Sequence, residues 1–243
     1  MRSQPKPALP ISPPWSQTGT GRAVDLMAPT ADMLDFDADI PEGLARINRY
    51  NGQVRAGPYS VAQHSVLGAD ALMRETGRID LAGAFILHDV HEYALGDQTR
   101  PFITALGLTA REVAPYVAAE TIVKAALKRM KDRMDKVVHE AAGLKWPLPF
   151  EVAAAVAEMD ARMIETERRH LHAAPPRPWG FEHLKPIRLT GRLRVWPWPE
   201  AADEFRDRLS RYLPHLPHAR NPLPKPRSPE GAAVKKRHLS AIA

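Results

Sequence analysis

An all-α fold is predicted, on three observations. Cap and stop signals recur around segments with helical apolar spacing. One long stretch, Phe150–His170, is rich in Ala, Glu and Arg, residues with high or moderate helix propensity. Strand-like alternation is scarce, with Thr20–Leu26 as the one short extended segment.

The elements follow in order. Pro41–Tyr50 reads as a helix with proline in its first turn, ended by Asn51-Gly52. Ser60 is the expected N-cap of a helix Val61–Glu75, and Gln63, three residues on, would complete a capping box. Asp80 is expected to cap Leu81–Ala94, with Gly96 as the stop. Thr109 is expected to cap Ala110–Arg129, with Glu112 at the third helical position. Phe150–His170 is one long helix. Trp196-Pro-Trp198 then reads as an aromatic turn, followed by an amphipathic helix over Glu200–Tyr212. Its two tryptophans are expected to anchor this segment to the core rather than to cover a pocket.

Proline usage divides the 243-residue chain. Of its 24 prolines, five fall in the first 14 residues and twelve after His172. Residues 1–14 are expected to form a disordered arm, 15–171 the compact domain, 172–216 an extension packed on that core, and 217–243 a disordered basic tail. The tail holds six basic residues and one acid, hence +5 of the formal +6 charge. Charge concentrated in a Pro-rich terminus reads as a solubilising arm, so nucleic acid is not the expected partner. No apolar run approaches a membrane span. The start, Met1-Arg-Ser-Gln-Pro-Lys-Pro, lacks an apolar targeting core, and a cytoplasmic location is expected. With no cysteine present, any metal must be held by His and carboxylate ligands.

The candidate chemistry lies in Phe85-Ile-Leu-His-Asp-Val-His-Glu-Tyr-Ala-Leu-Gly-Asp97, with His64 upstream and Asp160 downstream. A His-Asp dipeptide alone says little, since about 0.6 would arise here by chance from the composition. The company it keeps says more. On a helix, His88, Asp89 and Glu92 share one face, while His91 is less clearly directed. Four titratable groups follow directly on the apolar run Leu81–Leu87, and burying them without partners is costly. A metal removes that cost. Two imidazoles (His64, His88) and two carboxylates (Asp89, Asp160) suit Mn²⁺, Co²⁺, Ni²⁺, Fe²⁺ or Zn²⁺ and leave coordination positions open. Glu92 is placed to orient or deprotonate water. Asp97 is a second acid/base or a partner for a sugar hydroxyl. Arg49 and Arg100 are candidates to neutralise a phosphate. Each residue alone also has an ordinary reading as a cap, a solvated charge or a satisfied core group.

From Gly43 to Leu171 the chain resembles the HD-domain phosphohydrolases, in the branch of the bacterial 5′-deoxynucleotidases and small phage HD hydrolases. The resemblance rests on Ala45-Arg-Ile-Asn-Arg-Tyr50, Tyr59-Ser-Val-Ala-Gln-His-Ser65, Leu87-His-Asp-Val-His-Glu-Tyr-Ala-Leu-Gly-Asp97 and Met159-Asp-Ala-Arg-Met-Ile-Glu-Thr-Glu167. It implies an HD-domain helical bundle followed here by a Pro-rich C-terminal extension, often dimeric. It implies a transition metal on His64, His88, Asp89 and Asp160, Glu92 activating water, Asp97 near the sugar and leaving group, and Arg49 on phosphate. The implied substrate is a deoxynucleoside 5′-monophosphate. Three positions depart from the pattern. Tyr50 replaces a tryptophan and bears on base or sugar discrimination, Gln63 replaces an acid before the first histidine, and Arg100 adds positive charge after Asp97. The phage relatives include triphosphohydrolases, so the alternatives are a dNTP triphosphohydrolase on the same scaffold and a non-catalytic nucleotide-binding module.

Overall fold

The computed structural model describes residues 13–189 and 191–216. The expectations for residues 1–12 and for the basic tail 217–243 lie outside the described residues. The protein is mainly helical, as predicted. A two-stranded antiparallel hairpin, β1 (Trp15–Gln17) and β2 (Ala23–Asp25), precedes eight helices. These are α1 (Asp39–Arg46), α2 (Val61–Thr76), α3 (Ile79–Leu87), the single turn α4 (Glu92–Leu95), α5 (Arg100–Val113), α6 (Ala119–Ala141), α7 (Phe150–Leu171) and α8 (Trp198–Tyr212). No described helix is long and apolar enough to cross a membrane.

Helix α2 is the axis of the bundle and packs against α1, α3, α7 and α8. Its apolar residues Val61, Val66, Ala69 and Leu72 are buried. They share one core with Phe85, Ile86 and Leu87 of α3, Met159 and Met163 of α7, and Phe205 and Leu209 of α8. Full burial of side chains of this size contributes on the order of 1.5–3 kcal/mol each. Ser60 caps α2 by accepting from the Gln63 N–H at 3.2 Å. The reciprocal half of the expected capping box is not made. The Gln63 side chain instead donates to the Arg194 carbonyl at 2.6 Å and accepts from the Trp196 N–H at 2.9 Å, which fastens the C-terminal extension onto α2. Gly77 ends α2 in the left-handed region at φ 67°, where a Cβ would be strained.

Three expected boundaries are corrected. The helix expected over Pro41–Tyr50 stops at Arg46, because Ile47 turns extended and Asn48 bridges to Ser60. Arg49–Gly52 forms a separate 3₁₀ turn with Tyr50 and Asn51 at positive φ. The helix expected over Ala110–Arg129 is two, α5 and α6, because Pro115 lies inside that span and has no N–H to continue a helical ladder. Thr109 therefore sits within α5 and caps nothing. The helix expected over Leu81–Ala94 breaks at His88, and Asp80 pairs with Arg78 rather than capping it. Through the break, hydrogen bonds run three residues back rather than four: His88 N–H to Phe85 O, Val90 to Leu87, Glu92 to Asp89 and Tyr93 to Val90. This is a tightened 3₁₀-like passage. By contrast, α7 and α8 fall within one or two residues of expectation.

Candidate metal centre

Three parts of the fold converge on one polar cluster: the first turn of α2, the break after α3 and the middle of α7. His64 is fully buried in α2. Its Nδ1 lies 2.6 Å from Oε1 of Glu167, itself fully buried on α7. His88 stands at the break, with Nδ1 2.7 Å from the Phe85 carbonyl. Carbonyls and ionised carboxylates only accept, so both Nδ1 atoms carry the hydrogen. Nε2 is then the nitrogen that each ring turns toward the cluster, and these two atoms face one another at 3.4 Å. Two facing nitrogens in a buried site need positive charge between them, as a proton or a cation.

The carboxylates complete the set. Asp160 Oδ1 lies 3.4 Å from His64 Nε2. Asp89 Oδ2 lies 3.1 Å from His88 Nε2 and 3.8 Å from His64 Nε2. His64, His88 and Asp160 form a group able to hold a metal ion, with ligand atoms all within 4.8 Å of one another. Buried Arg49 reaches across to three acids: Asp89 at 3.3 Å, Glu167 at 3.4 Å and Asp160 at 4.0 Å. Three carboxylates against one guanidinium leave net negative charge, which a protonated His64 or a bound cation would offset.

The electrostatics agree. Burial and Arg49 oppose a charge on His64, but Glu167 and Asp160 outweigh them and push it up to about 9. Positive charge at that nitrogen is thus favoured, whether carried by a proton or a metal. Burial would raise Asp89, yet His88, Arg49 and His64 hold it well below the usual carboxylate range. Glu92 goes the other way: burial, then the repulsion of Asp89 and Asp97, pushes it up to about 9. Asp97 is also raised, by burial with Asp89 adding to it.

All four expected ligands are brought together. Glu92 joins Asp89 and His91 in an adjacent group, although the continuous helix invoked to align them is absent. Asp97 follows Gly96, within electrostatic reach of Arg49, Asp89 and His64. Arg100 starts α5, largely exposed, 3.9 Å from Asp160 and over the ring of Phe181. Tyr50 donates its hydroxyl to Glu167, behind His64, and its ring meets His172 and Trp179 of the extension.

Sequence reasoning missed the functional part of Glu167. It accepts from Tyr50 and Tyr59, contacts Arg49, and fixes the His64 ring. The signal was available: Glu167 follows Asp160 by seven residues, two helical turns, on one face. Asp135 on α6, 2.8 Å from His91 Nδ1, carried no such signal.

No protein-family model matches the chain. It is 29% identical over 207 residues to an uncharacterized protein of Rhodobacter capsulatus, an alignment covering 80% of this chain and 93% of that protein.

Proposed function

We propose that the protein is a metal-dependent HD-type phosphohydrolase that cleaves deoxynucleoside 5′-monophosphates to nucleoside and phosphate. The observation that carries the reading is the pair of Nε2 atoms facing one another at 3.4 Å beside Asp89 and Asp160. Such a set suits a borderline divalent cation (Mn²⁺, Co²⁺, Ni²⁺, Fe²⁺ or Zn²⁺) and leaves positions open, as in catalytic rather than closed sites. The substrate class comes from the sequence resemblance.

His64, His88, Asp89 and Asp160 would hold the cation, which supplies a Lewis acid that acidifies water and neutralises phosphoryl charge. Glu167 and the Phe85 carbonyl fix the two imidazoles so that each offers Nε2. Arg49 and Arg100 flank the same carboxylates and supply charge for a phosphate. Glu92 is the proton-handling group: its buried Oε2 has no partner, so it can take a proton from water once nearby positive charge favours its ionised form. Asp97 stands ready to return a proton to the leaving oxygen.

The test is product analysis. Protein stripped and reloaded with Mn²⁺ or Co²⁺ is offered dNMPs, NMPs and dNTPs, with Asp89→Ala as control. The expected outcome is orthophosphate and nucleoside from dNMPs, with metal and turnover lost together in Asp89→Ala. Tripolyphosphate from a dNTP would move the substrate to the triphosphate. Turnover by metal-free Asp89→Ala protein would refute the mechanism, and no turnover by the metal-loaded protein would favour a nucleotide-binding module.

A further inference from the structure

Beside the His64–His88–Asp160 cluster lies a second group of ligand-type side chains. Asp89, His91 and Glu92 each present an atom within 4.8 Å of the other two. Two independent observations separate it from an ordinary acidic cluster. His91 is oriented as a ligand, because its Nδ1 lies 2.8 Å from the Asp135 carboxylate while its Nε2 is buried with no partner. A carboxylate behind one ring nitrogen commonly aims the other at a metal, and His64 stands in the same relation to Glu167. Glu92 Oε2 is also buried without a partner. His91 and Glu92 are only 5% and 4% exposed, so two unsatisfied polar atoms occupy a buried site, where leaving them unpaired is costly.

Asp89 links the two groups. It belongs to the second group and also meets His88, His64 and Arg49 through Oδ2. We propose that Asp89, His91 and Glu92 form a second divalent-cation site that shares Asp89 with the first, making a two-metal centre. One imidazole and two carboxylates suit Mn²⁺, Fe²⁺ or Zn²⁺. Paired cations joined by a carboxylate clamp both the attacking and the leaving oxygen in phosphoryl chemistry. Asp135 is then a positioning residue. The inference rests on the metal centre proposed above and changes one assignment within it: Glu92 becomes a ligand instead of the group that deprotonates water.

The test counts metal. Full-length protein is stripped, equilibrated with excess Mn²⁺, freed of unbound ion by gel filtration, and measured by elemental analysis and electron paramagnetic resonance. Wild type is expected to hold two Mn²⁺ per chain with an exchange-coupled signal. His91→Gln and Glu92→Gln, checked for fold by circular dichroism, are expected to hold one and to give an uncoupled signal. Asp135→Asn is expected to weaken the second equivalent about 10- to 100-fold and to spare the first. One Mn²⁺ in wild type, removed by His64→Ala and kept by His91→Gln, would overturn the second site and leave the first standing. Two Mn²⁺ in folded His91→Gln would overturn the ligand assignment. No Mn²⁺ in wild type would overturn both readings.

Discussion

Replacing Glu167 by Gln isolates the residue behind His64. The change keeps the shape and removes the charge. Its Oε1 faces His64 Nδ1 at 2.6 Å and accepts from Tyr59 at 2.8 Å. Two effects follow, with opposite signs. Loss of an orienting carboxylate behind a metal-binding imidazole weakens metal binding about 10- to 100-fold, or roughly 1.4–2.7 kcal/mol. Against this, Glu167 is the first of the groups that raise His64, up to about 9 despite burial. Metal must displace that proton, a competition of about 300-fold at pH 6.5 and about 4-fold at pH 8.5 for a group of that pKa. Without Glu167, burial and Arg49 still oppose the proton, so the competition shrinks most at low pH. The variant is therefore expected to bind metal 10- to 100-fold more weakly at pH 8.5, with the deficit narrowing toward pH 6.5. Wild-type affinity is expected to fall about 75-fold over the same two pH units. The assay is titration of stripped protein with chelator-buffered Zn²⁺ at both pH values, with circular dichroism to confirm the fold. A ratio of affinities equal at the two pH values, or a variant within twofold of wild type at pH 8.5, would refute the reasoning.

Two further perturbations probe the support of the site. In Gly68→Ala the new Cβ would stand 2.1 Å from the ring of fully buried Phe85, a clash that displaces the ring. An overpacking cost of about 1–3 kcal/mol is expected, read by calorimetry as a drop of roughly 2–4 °C in Tm per kcal/mol. Metal affinity is expected to fall with it, because the Phe85 ring packs 4.3 Å from His88 and its carbonyl holds His88 Nδ1; unchanged Tm would count against this packing. Gln63→Ala removes both hydrogen bonds to residues 194 and 196 and leaves a buried gap, with an expected loss of about 1–3 kcal/mol. Limited proteolysis should then cut the extension before the bundle, and equal protection of both would contradict the assigned fastening.

Local chemistry made some elements legible and misled at others. Ser60 at the start of α2 and Gly77 at its end act as their residue types dictate. The long helix Phe150–Leu171 followed from propensity alone. That His64, His88, Asp89 and Asp160 would lie together was readable because metal-ligand residue types are few, and their spacing resembled a known pattern. The break after Leu87 was not readable from periodicity, which measures apolar spacing and continues smoothly through Tyr93. The break carries a local side-chain contact: the Phe85 carbonyl takes both the backbone N–H and the Nδ1 of His88, a use of the acceptor that apolar spacing does not encode. Pro115 was the opposite case, a plain local signal inside the span given to a single helix. Glu167 and Asp135 were hidden because each acts through a histidine far off in sequence. Their worth lies in a contact across helices rather than in a motif.

The C-terminal extension explains how such a cluster is held still. The two helices that bring His64 and the Asp160–Glu167 pair together, α2 and α7, are laced by residues 185–188 and 194–196. Arg162 of α7 donates to the Lys185 carbonyl, Ile187 N–H to Thr166 of α7, Arg74 of α2 to the Arg188 carbonyl, and Gln63 of α2 bonds residues 194 and 196. Helix α8 adds a clamp on α2, where Arg208 and Tyr212 both bond Asp70. The anchoring expected of Trp196 fits this picture, since it packs on the core, whereas Trp198 lies half exposed under Arg46. A site built from a helix start, a helix break and a helix middle has three independent ways to drift. Catalytic constellations tolerate roughly 0.5 Å of such drift. A strap that ties the helix of His64 to the helix of Asp160, from residue types that recognise backbone rather than metal, removes the largest of those freedoms. The extension is thus part of what holds His64 beside Asp160 and Glu167.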